Sequence, residues 1–530
     1  MLYTAAHSDR VCAVMRSIFS IVFSVLISCV CAFAQARKLD ESAAQFVRER
    51  LCPLPQKAEF FDAYYTMSKD SSVLLRCSAE LSDGDRRTLA DEMQMLFKFL
   101  PKMVFKTDAS CAPIPEEGYT LRIDGGGIDI GASGVAGLVH SLKTLRQMSE
   151  LDRLDVFKRV FAHCDIEDAP EIKTRMIHLC LFPDLTADRF EKYLRLAWYY
   201  KFNYVIIEGW GTFPLEKHPE FSFEKRVSKS DFKRWIDFCK KYKMTPVPQM
   251  QVWGHASQAQ EFSAKHVVEN RHPELANLYE PLGWTYCYSN PKTMLYLKDN
   301  IAELAELFGN PPFFHLGCDE AYDRATCHKC RAEKPSALFA RVINAYSDFL
   351  KERGMRGIIW HDTLIDAKNP AWKKQIVHGD AESEASLDEI SKNIIIADWQ
   401  YAPQTDFPTS RFFKSKGFDV LGAPWNAKTG VYAFARAVKK DALWGYLQTT
   451  WNAQFKKIDV VFYHAANAAW RGGDESVEKQ LSTQESGSGH AHHRRLMLSA
   501  DKHFKEVESD MGKDFDFREL GKYYNHLEVR

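Results

Sequence analysis

From residue 171 onward, short apolar runs alternate with longer stretches in which apolar residues recur every three or four positions. That rhythm predicts strands joined by amphipathic helices. The runs lie at 173–181, 203–209, 245–252, 313–317, 356–362, 393–400, 419–425 and 443–451. Between them, "TADRFEKYLRLAWYYKF" (186–202) and "SALFARVINAYSDFLKERG" (336–354) read as helices with one apolar face, the second stopped by its glycine. Eight strands with helical crossovers imply an α/β fold in which a parallel sheet closes into a (β/α)8 TIM barrel, expected over residues 166–475. The crossover between the fifth and sixth strands carries no distinct helical pattern.

The chain before the barrel has a different rhythm. A strand at 72–78, a helix in "DRRTLADEMQMLFKFLP" (85–101), two strands within 118–133 and a helix in "GVAGLVHSLKTLRQM" (134–148) predict a small α/β domain over 37–165. The triple glycine Gly125–Gly127 lacks the strand-to-helix spacing of a dinucleotide loop and reads as a hairpin turn. Behind the barrel, 476–530 reads as a polar linker with C-terminal helices. Its stretch "STQESGSGHAHHRR" (482–495) offers His490, His492 and His493 as metal ligands, but its serines and glycines predict a mobile surface loop.

Composition narrows the partners. The 530 residues carry 70 basic and 70 acidic side chains, a balance that gives no reason to expect nucleic acid. Twelve Trp and 21 Tyr supply flat apolar faces of the kind that receive sugars or fill a core. Residues 1–36 read as an export signal: Met15–Ala36 holds one arginine, an apolar run and a small-residue exit. Leu26-Ile27-Ser28-Cys29 offers a competing lipoprotein signal. The chain is thus expected to be periplasmic or secreted, either soluble or lipid-anchored through Cys29. No later run has the length of a spanning helix, so no transmembrane domain is expected. Nothing in the pattern bears on oligomeric state.

A barrel gathers its reactive groups where its strands end. Here the runs close on Glu208-Gly209-Trp210, Trp253-Gly254-His255, Asp319-Glu320, Trp360-His361-Asp362, Asp398-Trp399, Trp425-Asn426 and Trp451-Asn452. A tryptophan at nearly every end predicts a sugar-sized aromatic pocket. Successive side chains of an extended segment point different ways, so Asp319 and Glu320 are poorly placed to face each other across a glycosidic bond. They can instead divide labour, Glu320 protonating a leaving oxygen and Asp319 serving another part of the same sugar. The nucleophile then comes from Glu208, Asp362 or Asp398, or from the substrate itself.

With those residues in view, the chain resembles glycoside hydrolase family 20, the β-N-acetylhexosaminidases. The family's His-x-Gly-x-Asp-Glu signature stands here as His315-Leu316-Gly317-Cys318-Asp319-Glu320, and its Cys-Asp-Glu form is similar to the hexosaminidase D branch. "TRMIHLCL" resembles the family's first strand, "VPQMQVWGHA" the third-strand segment and "YCYSN" the loop after it. The front domain resembles the small α/β domain that precedes many such barrels.

The resemblance implies an exo-acting enzyme that removes terminal N-acetylhexosamines from glycans with retention, the substrate's acetamide attacking its own anomeric carbon. On that pattern Asp319 orients the acetamide, and Glu320 is the general acid and base, with a carboxyl pKa lifted by burial and its charged neighbour. Arg175 would grip sugar hydroxyls. His255 is a structural active-site residue that Glu208 would orient. Trp360, Trp399 and Trp451 would wall the pocket, Trp425 adding to it. Tyr401 or Asn426 would bind the acetamide oxygen, and Asp362 is a further substrate-side carboxylate. Many relatives end the last strand with Trp-x-Glu, whose glutamate holds ring hydroxyls; Trp451-Asn452-Ala453 has no acid there, which leaves Asn452 as a candidate contact and recognition of O4 and O6 open.

Two alternatives stand beside this reading: a retaining glycosidase with a separate carboxylate nucleophile, and a non-catalytic carbohydrate-binding barrel. No cofactor and no metal are expected. Cys327-His328-Lys329-Cys330 supplies two ligands, short of a closed zinc site, and reads as a disulfide or free thiols.

Overall fold

The computed structural model describes residues 38–511, apart from 153–154, 156, 184, 224–225 and 257–267. The export signal expected in 1–36, with Cys29, lies outside the described residues.

The front domain is a mixed sheet of β1 (Lys57–Met67), β2 (Ser72–Cys77), β3 (Lys102–Thr107), β4 (Tyr119–Asp124), β5 (Gly127–Ala132), β6 (Glu150–Leu151) and β7 (Arg159–Asp168). Its order is β1-β7-β4-β5-β2-β3, with β6 on β7. The triple glycine is the β4–β5 hairpin turn, as its neighbours predict: Asp124 pairs with Gly127, and Asp124 Oδ1 accepts the Gly126 N–H at 2.7 Å. Helix Asp83–Phe97 is capped by Ser82, whose hydroxyl accepts the Asp85 N–H at 3.1 Å. Helix Val135–Met148 is buried nearly all round, including Lys143 and Gln147. It contacts barrel residues, with His140 edge-on to Trp470 at 5.2 Å and the Lys143 ammonium over Trp198.

The second unit is a closed barrel of eight parallel strands: β8 (Arg175–Leu181), β9 (Tyr204–Gly209), β10 (Thr245–Gln249), β11 (Phe313–His315), β12 (Arg356–Trp360), β13 (Ile395–Trp399), β14 (Asp419–Ala423) and β15 (Gly445–Gln448). All eight predicted runs become strands. They are apolar on both faces because the barrel buries both. Met176, Ile206, Val247, Ile358, Ile395 and Leu421 form a separate inner cluster, while Ile177, Val205, Ile359 and Val420 join the main core that includes the helices. The indistinct crossover after β12 has a structural reason. It is built from one-turn segments at Asp362–Leu364 and Pro370–Trp372 and the short helix Ala381–Ala385, none long enough to show a period.

The Ser/Gly-rich stretch is a correction. A helix runs from Ser488 to Met511, so residues expected to be a mobile loop are its first turns. Gly487 and Gly489 serve close approach: a Cβ at Gly489 would lie 2.0 Å from the Glu49 carbonyl oxygen. His493 is fully buried, its Nε2 2.7 Å from the Arg50 carbonyl oxygen and its Nδ1 3.2 Å from the Tyr200 hydroxyl. Among the described residues His490, His492 and His493 do not converge as metal ligands. No helix of the described residues is long and apolar enough to cross a membrane.

Candidate active site

The loop leaving β11 is shaped by interlocking glycines. Gly317 (φ +68°) is followed by Cys318 (φ +79°), and Glu320 also lies in the left-handed region at φ +48°. A Cβ at Gly317 would sit 1.9 Å from Gln251 Oε1, and one at Gly254 would sit 1.9 Å from the Asp319 carbonyl oxygen. Both glycines therefore let the loops after β10 and β11 press together. Three non-glycine residues in the left-handed region within this unit, His255 (φ +50°) among them, mark a backbone held by its surroundings.

That twist changes what adjacent carboxylates can do. In an extended segment Asp319 and Glu320 would diverge. With Glu320 left-handed, both reach the same imidazole nitrogen: His255 Nε2 is 3.1 Å from Asp319 Oδ2 and 3.1 Å from Glu320 Oε2. Asp319 is buried, whereas the Glu320 side chain keeps 28% of its exposure and so faces the mouth of the barrel.

Further bonds fix the two acids. Gln251 Nε2 donates to Asp319 Oδ1 at 2.9 Å and to Glu208 Oε1 at 3.3 Å, while its Oε1 accepts the Cys318 N–H at 3.0 Å. Glu208 Oε2 pairs with His178 Nε2 at 2.9 Å. Tyr322 donates its hydroxyl to Glu320 Oε1 at 2.8 Å, and the Trp284 indole N–H donates to the Glu320 carbonyl oxygen. Asp362 accepts the Glu320 N–H at 2.9 Å and the Trp399 indole N–H at 3.1 Å, and it pairs with His378 Nδ1 at 2.9 Å.

These contacts set the charges. Burial pulls the His255 pKa down, but Asp319 and then Glu320 outweigh it and hold the imidazolium well above the ordinary histidine range. Burial lifts the Asp319 carboxyl, which stays above its usual value despite His255. Burial also acts to raise Glu320, yet the hydrogen bond and charge of His255 leave that carboxyl below its usual value. This corrects the sequence-based expectation of a lifted Glu320: the proton of the cluster resides on the shared imidazole.

Aromatic rings build the wall. Trp360 is fully buried in the inner barrel, 4.4 Å between ring centres from His315 and 6.1 Å from Trp451. Tyr401 packs at a tilt between Trp399 (4.8 Å) and Trp425 (5.2 Å), and its hydroxyl accepts the Trp451 indole N–H at 2.7 Å. Asn426 and Asn452 are half-buried beside Trp425 and Trp451. Trp253 departs from the strand-end pattern. It lies in the core, stacked on Tyr288 and edge-on to Phe339.

Arg175 is the clear correction. It begins β8, so about 20 Å of strand separates it from the carboxyl end. Its guanidinium is buried against the front domain, 2.9 Å from Glu117 Oε2, hydrogen-bonded to the carbonyls of Ile172 and Lys201 and stacked over Trp470. It cannot grip a sugar at the barrel mouth. Asp398, a candidate nucleophile, also drops out: its side chain points away from the lumen to Thr409, Ser410 and His361. Glu208 directs its bonds to His178 and Gln251, so it reaches Asp319 through Gln251 and not through His255. The sequence reading missed Gln251, Tyr322, Trp284, His178 and His378. Gln251 was visible inside "VPQMQVWGHA", but a neutral amide gives no signal of its own; His378 comes from a crossover with no pattern at all.

Comparison with known proteins follows this division of the chain. Residues 211–465 match the model for glycosyl hydrolase family 20, catalytic domain, and residues 48–169 match that family's domain 2. The catalytic match begins after β9, so β8 with Arg175 lies outside it. A lacto-N-biosidase of Bifidobacterium bifidum is 22% identical over 286 residues, covering 50% of this chain and 24% of that protein. The β-hexosaminidase subunit A1 of Dictyostelium discoideum is 23% identical over 221 residues, 39% of each. The chain thus spans well under half the length of these curated relatives. In fold it is similar to a family 20 exo-β-N-acetylglucosaminidase from Vibrio harveyi solved with N-acetylglucosamine, at TM-score 0.63 and 16% identity over 85% of this chain and 77% of that one.

Proposed function

Because the chain belongs to glycosyl hydrolase family 20, we propose that it is an exo-acting β-N-acetylhexosaminidase, releasing terminal N-acetylglucosamine or N-acetylgalactosamine with retention and using the substrate's acetamide as nucleophile. The observation that carries this reading is the pairing of Asp319 and Glu320 on one imidazole nitrogen while Asp362 lies fully buried. One acid faces the mouth, the other sits deeper, and among the described residues no third carboxylate of the cluster is exposed to attack a sugar.

The steps follow from these positions. The sugar ring lies against Trp399 and Trp451, with Tyr401, Trp425 and Asn426 at its edge and Asn452 toward the ring hydroxyls. Trp360, expected from the sequence as a wall, is sealed in the inner barrel and backs Trp451 instead. Asp319 accepts the acetamide N–H and so turns the carbonyl oxygen toward C1. As that oxygen bonds to C1, the bond from C1 to the leaving oxygen breaks, and Glu320 delivers a proton to the departing group. The proton it delivers reaches it from His255 along their 3.1 Å contact as the sugar binds, which suits a carboxyl held low in the free enzyme, and delivery to the leaving oxygen leaves Glu320 ionised. Asp319 balances the charge of the oxazolinium. Glu320 then takes a proton from water, which opens the ring at C1 and restores the β configuration. The leader-like run Met15–Ala36 supports an exported enzyme, periplasmic or secreted, either soluble or anchored through Cys29.

The second reading, a separate nucleophile at Asp362, is disfavoured by geometry. Oδ1 is held by Trp399 and Oδ2 by His378 and the Glu320 N–H, and the side chain is sealed from solvent. The test is hydrolysis of p-nitrophenyl N-acetyl-β-glucosaminide by wild type and Glu320→Gln, with a thiazoline mimic of the cyclic intermediate as inhibitor. Strong inhibition and a large loss in the variant are expected. Equal rates in both proteins would overturn the enzymatic reading, and an ineffective thiazoline would favour a separate nucleophile.

A further inference from the structure

Beside the catalytic loop, a second cluster stands outside the chemistry above. Cys327 and Cys330 are not alone: the fold brings Cys287 and Glu280 from the preceding loop against them, and one ligand atom from each of the four lies within 4.8 Å of the others. The sulfurs of Cys287 and Cys327 are 3.6 Å apart, and those of Cys287 and Cys330 are 3.8 Å apart. Neither spacing is that of a bonded pair, and all three cysteines are free thiols. Ligands at about 2.3 Å from a tetrahedral zinc place their sulfurs about 3.8 Å from one another.

Donors around the cluster also point at sulfur. The Cys330 N–H donates to Cys327 Sγ at 3.2 Å, and the Ser289 hydroxyl lies 3.1 Å from Cys287 Sγ and 3.6 Å from Cys327 Sγ. Such contacts suit thiolates better than thiols, and several thiolates this close need a cation among them. Glu280 is buried, and its Oε2 is fixed by the Cys327 N–H at 2.6 Å and the Thr326 hydroxyl at 3.3 Å. Three sulfurs and one carboxylate in a closed set match a structural zinc site and leave no open position for catalysis.

We propose that Glu280, Cys287, Cys327 and Cys330 bind one structural zinc ion that clamps the 280–287 loop to the loop carrying Asp319 and Glu320. The clamp has a direct route to the active site. Trp284 lies between the two ligands of its loop, donates its indole N–H to the Glu320 carbonyl oxygen, and takes Asp323 Oδ2 on its backbone N–H at 3.3 Å. Its ring also packs 5.4 Å from both His255 and Tyr322. Metal binding would therefore hold the wall against which Glu320 is set.

The test uses the full chain, purified without an affinity tag and dialysed against buffered zinc. Elemental analysis should give about one zinc per chain, and Cys287, Cys327 and Cys330 should resist alkylation until a chelator is added. Replacement by Co2+ should give a thiolate-to-cobalt charge-transfer band with tetrahedral ligand-field intensity, which is lost in Cys327→Ser. These wild-type measurements do not depend on any variant folding. A chain that retains no zinc and alkylates at all three positions while folded would overturn the proposal, as would a disulfide joining any two of the three in the active protein. Neither result would touch the hydrolase reading, which is judged by the glycoside assay.

Discussion

Gln251 ties Asp319 into place, donating to its Oδ1 at 2.9 Å while accepting the N–H of the residue before it. An amide is suited to this because it donates and accepts at once, and because it stays neutral among Glu208, Asp319 and His255. Gln251→Ala frees the Asp319 carboxylate from its tether, and displacement of an orienting group by about 1 Å can lower turnover about 100-fold. A loss of that order in kcat, with a smaller change in KM, is expected for the p-nitrophenyl substrate. An unchanged kcat would show that Asp319 is positioned by other contacts.

The shared imidazole makes a pH prediction. Wild type keeps one proton on the His255, Asp319 and Glu320 cluster to well above the ordinary histidine range, because the two carboxylates stabilise the cation. In His255→Asn the same proton has only carboxylates to hold it and leaves at lower pH. The alkaline limb of kcat/KM should therefore move toward lower pH in the variant. Glu320→Gln should lose roughly 10²–10⁴-fold in kcat, the range for removal of a general acid–base. A limb that stays in place in His255→Asn would mean that the imidazole does not store the proton.

Arg175 should matter for stability and not for the sugar. It is buried, and its partner Glu117 has its carboxyl held well below the usual range: burial acts to raise it, but Arg175 and then His140 more than compensate. Removing one member of such a pair leaves the other charge uncompensated, a loss of about 3–5 kcal/mol. Denaturant melts of Arg175→Ala should show a loss of that size, with KM unchanged in the folded fraction. A rise in KM at constant stability would restore the arginine to the sugar site.

Acid should loosen the C-terminal helix. Burial, then the nearby His492, pushes His493 down to about 3, and burial pushes His464 down to about 4. Both are neutral in the folded chain, and both take up protons near pH 6.5 when unfolded. The unfolded state then binds more protons at every pH between its own pKa and the folded value. The stability these residues contribute is complete above that unfolded pKa and declines as pH falls, by about 1.4 kcal/mol per pH unit for each histidine once well inside the window. Thermal melts from about pH 7 to about pH 4 should show this slope, reduced in His493→Gln.

The barrel was legible because its strands are apolar on both faces, so that eight continuous runs stood out and the residues closing them, Asp319, Glu320, His255, Trp399 and Trp451, marked the reactive end. What failed was information carried by distance in space. Arg175 lies on a strand of the right pattern but at its wrong end, a difference that depends on register. The four residues Glu280, Cys287, Cys327 and Cys330 meet only because two loops fold together, and the Cys-x-x-Cys pair alone showed half of them. Glycines misled in the other direction: Gly487 and Gly489 read as flexibility and turned out to be points of close packing against Glu49.

The most direct measurement follows the attacking atom. Aryl β-N-acetylglucosaminides whose acetyl methyl carries zero, one, two or three fluorines lose basicity at the acetamide oxygen step by step, while the leaving group stays the same. If that oxygen attacks C1, with Asp319 holding the amide and Glu320 protonating the leaving oxygen, kcat/KM must fall steeply along the series. A flat series, with turnover indifferent to the fluorines, would contradict substrate assistance and return the search to a carboxylate of the protein.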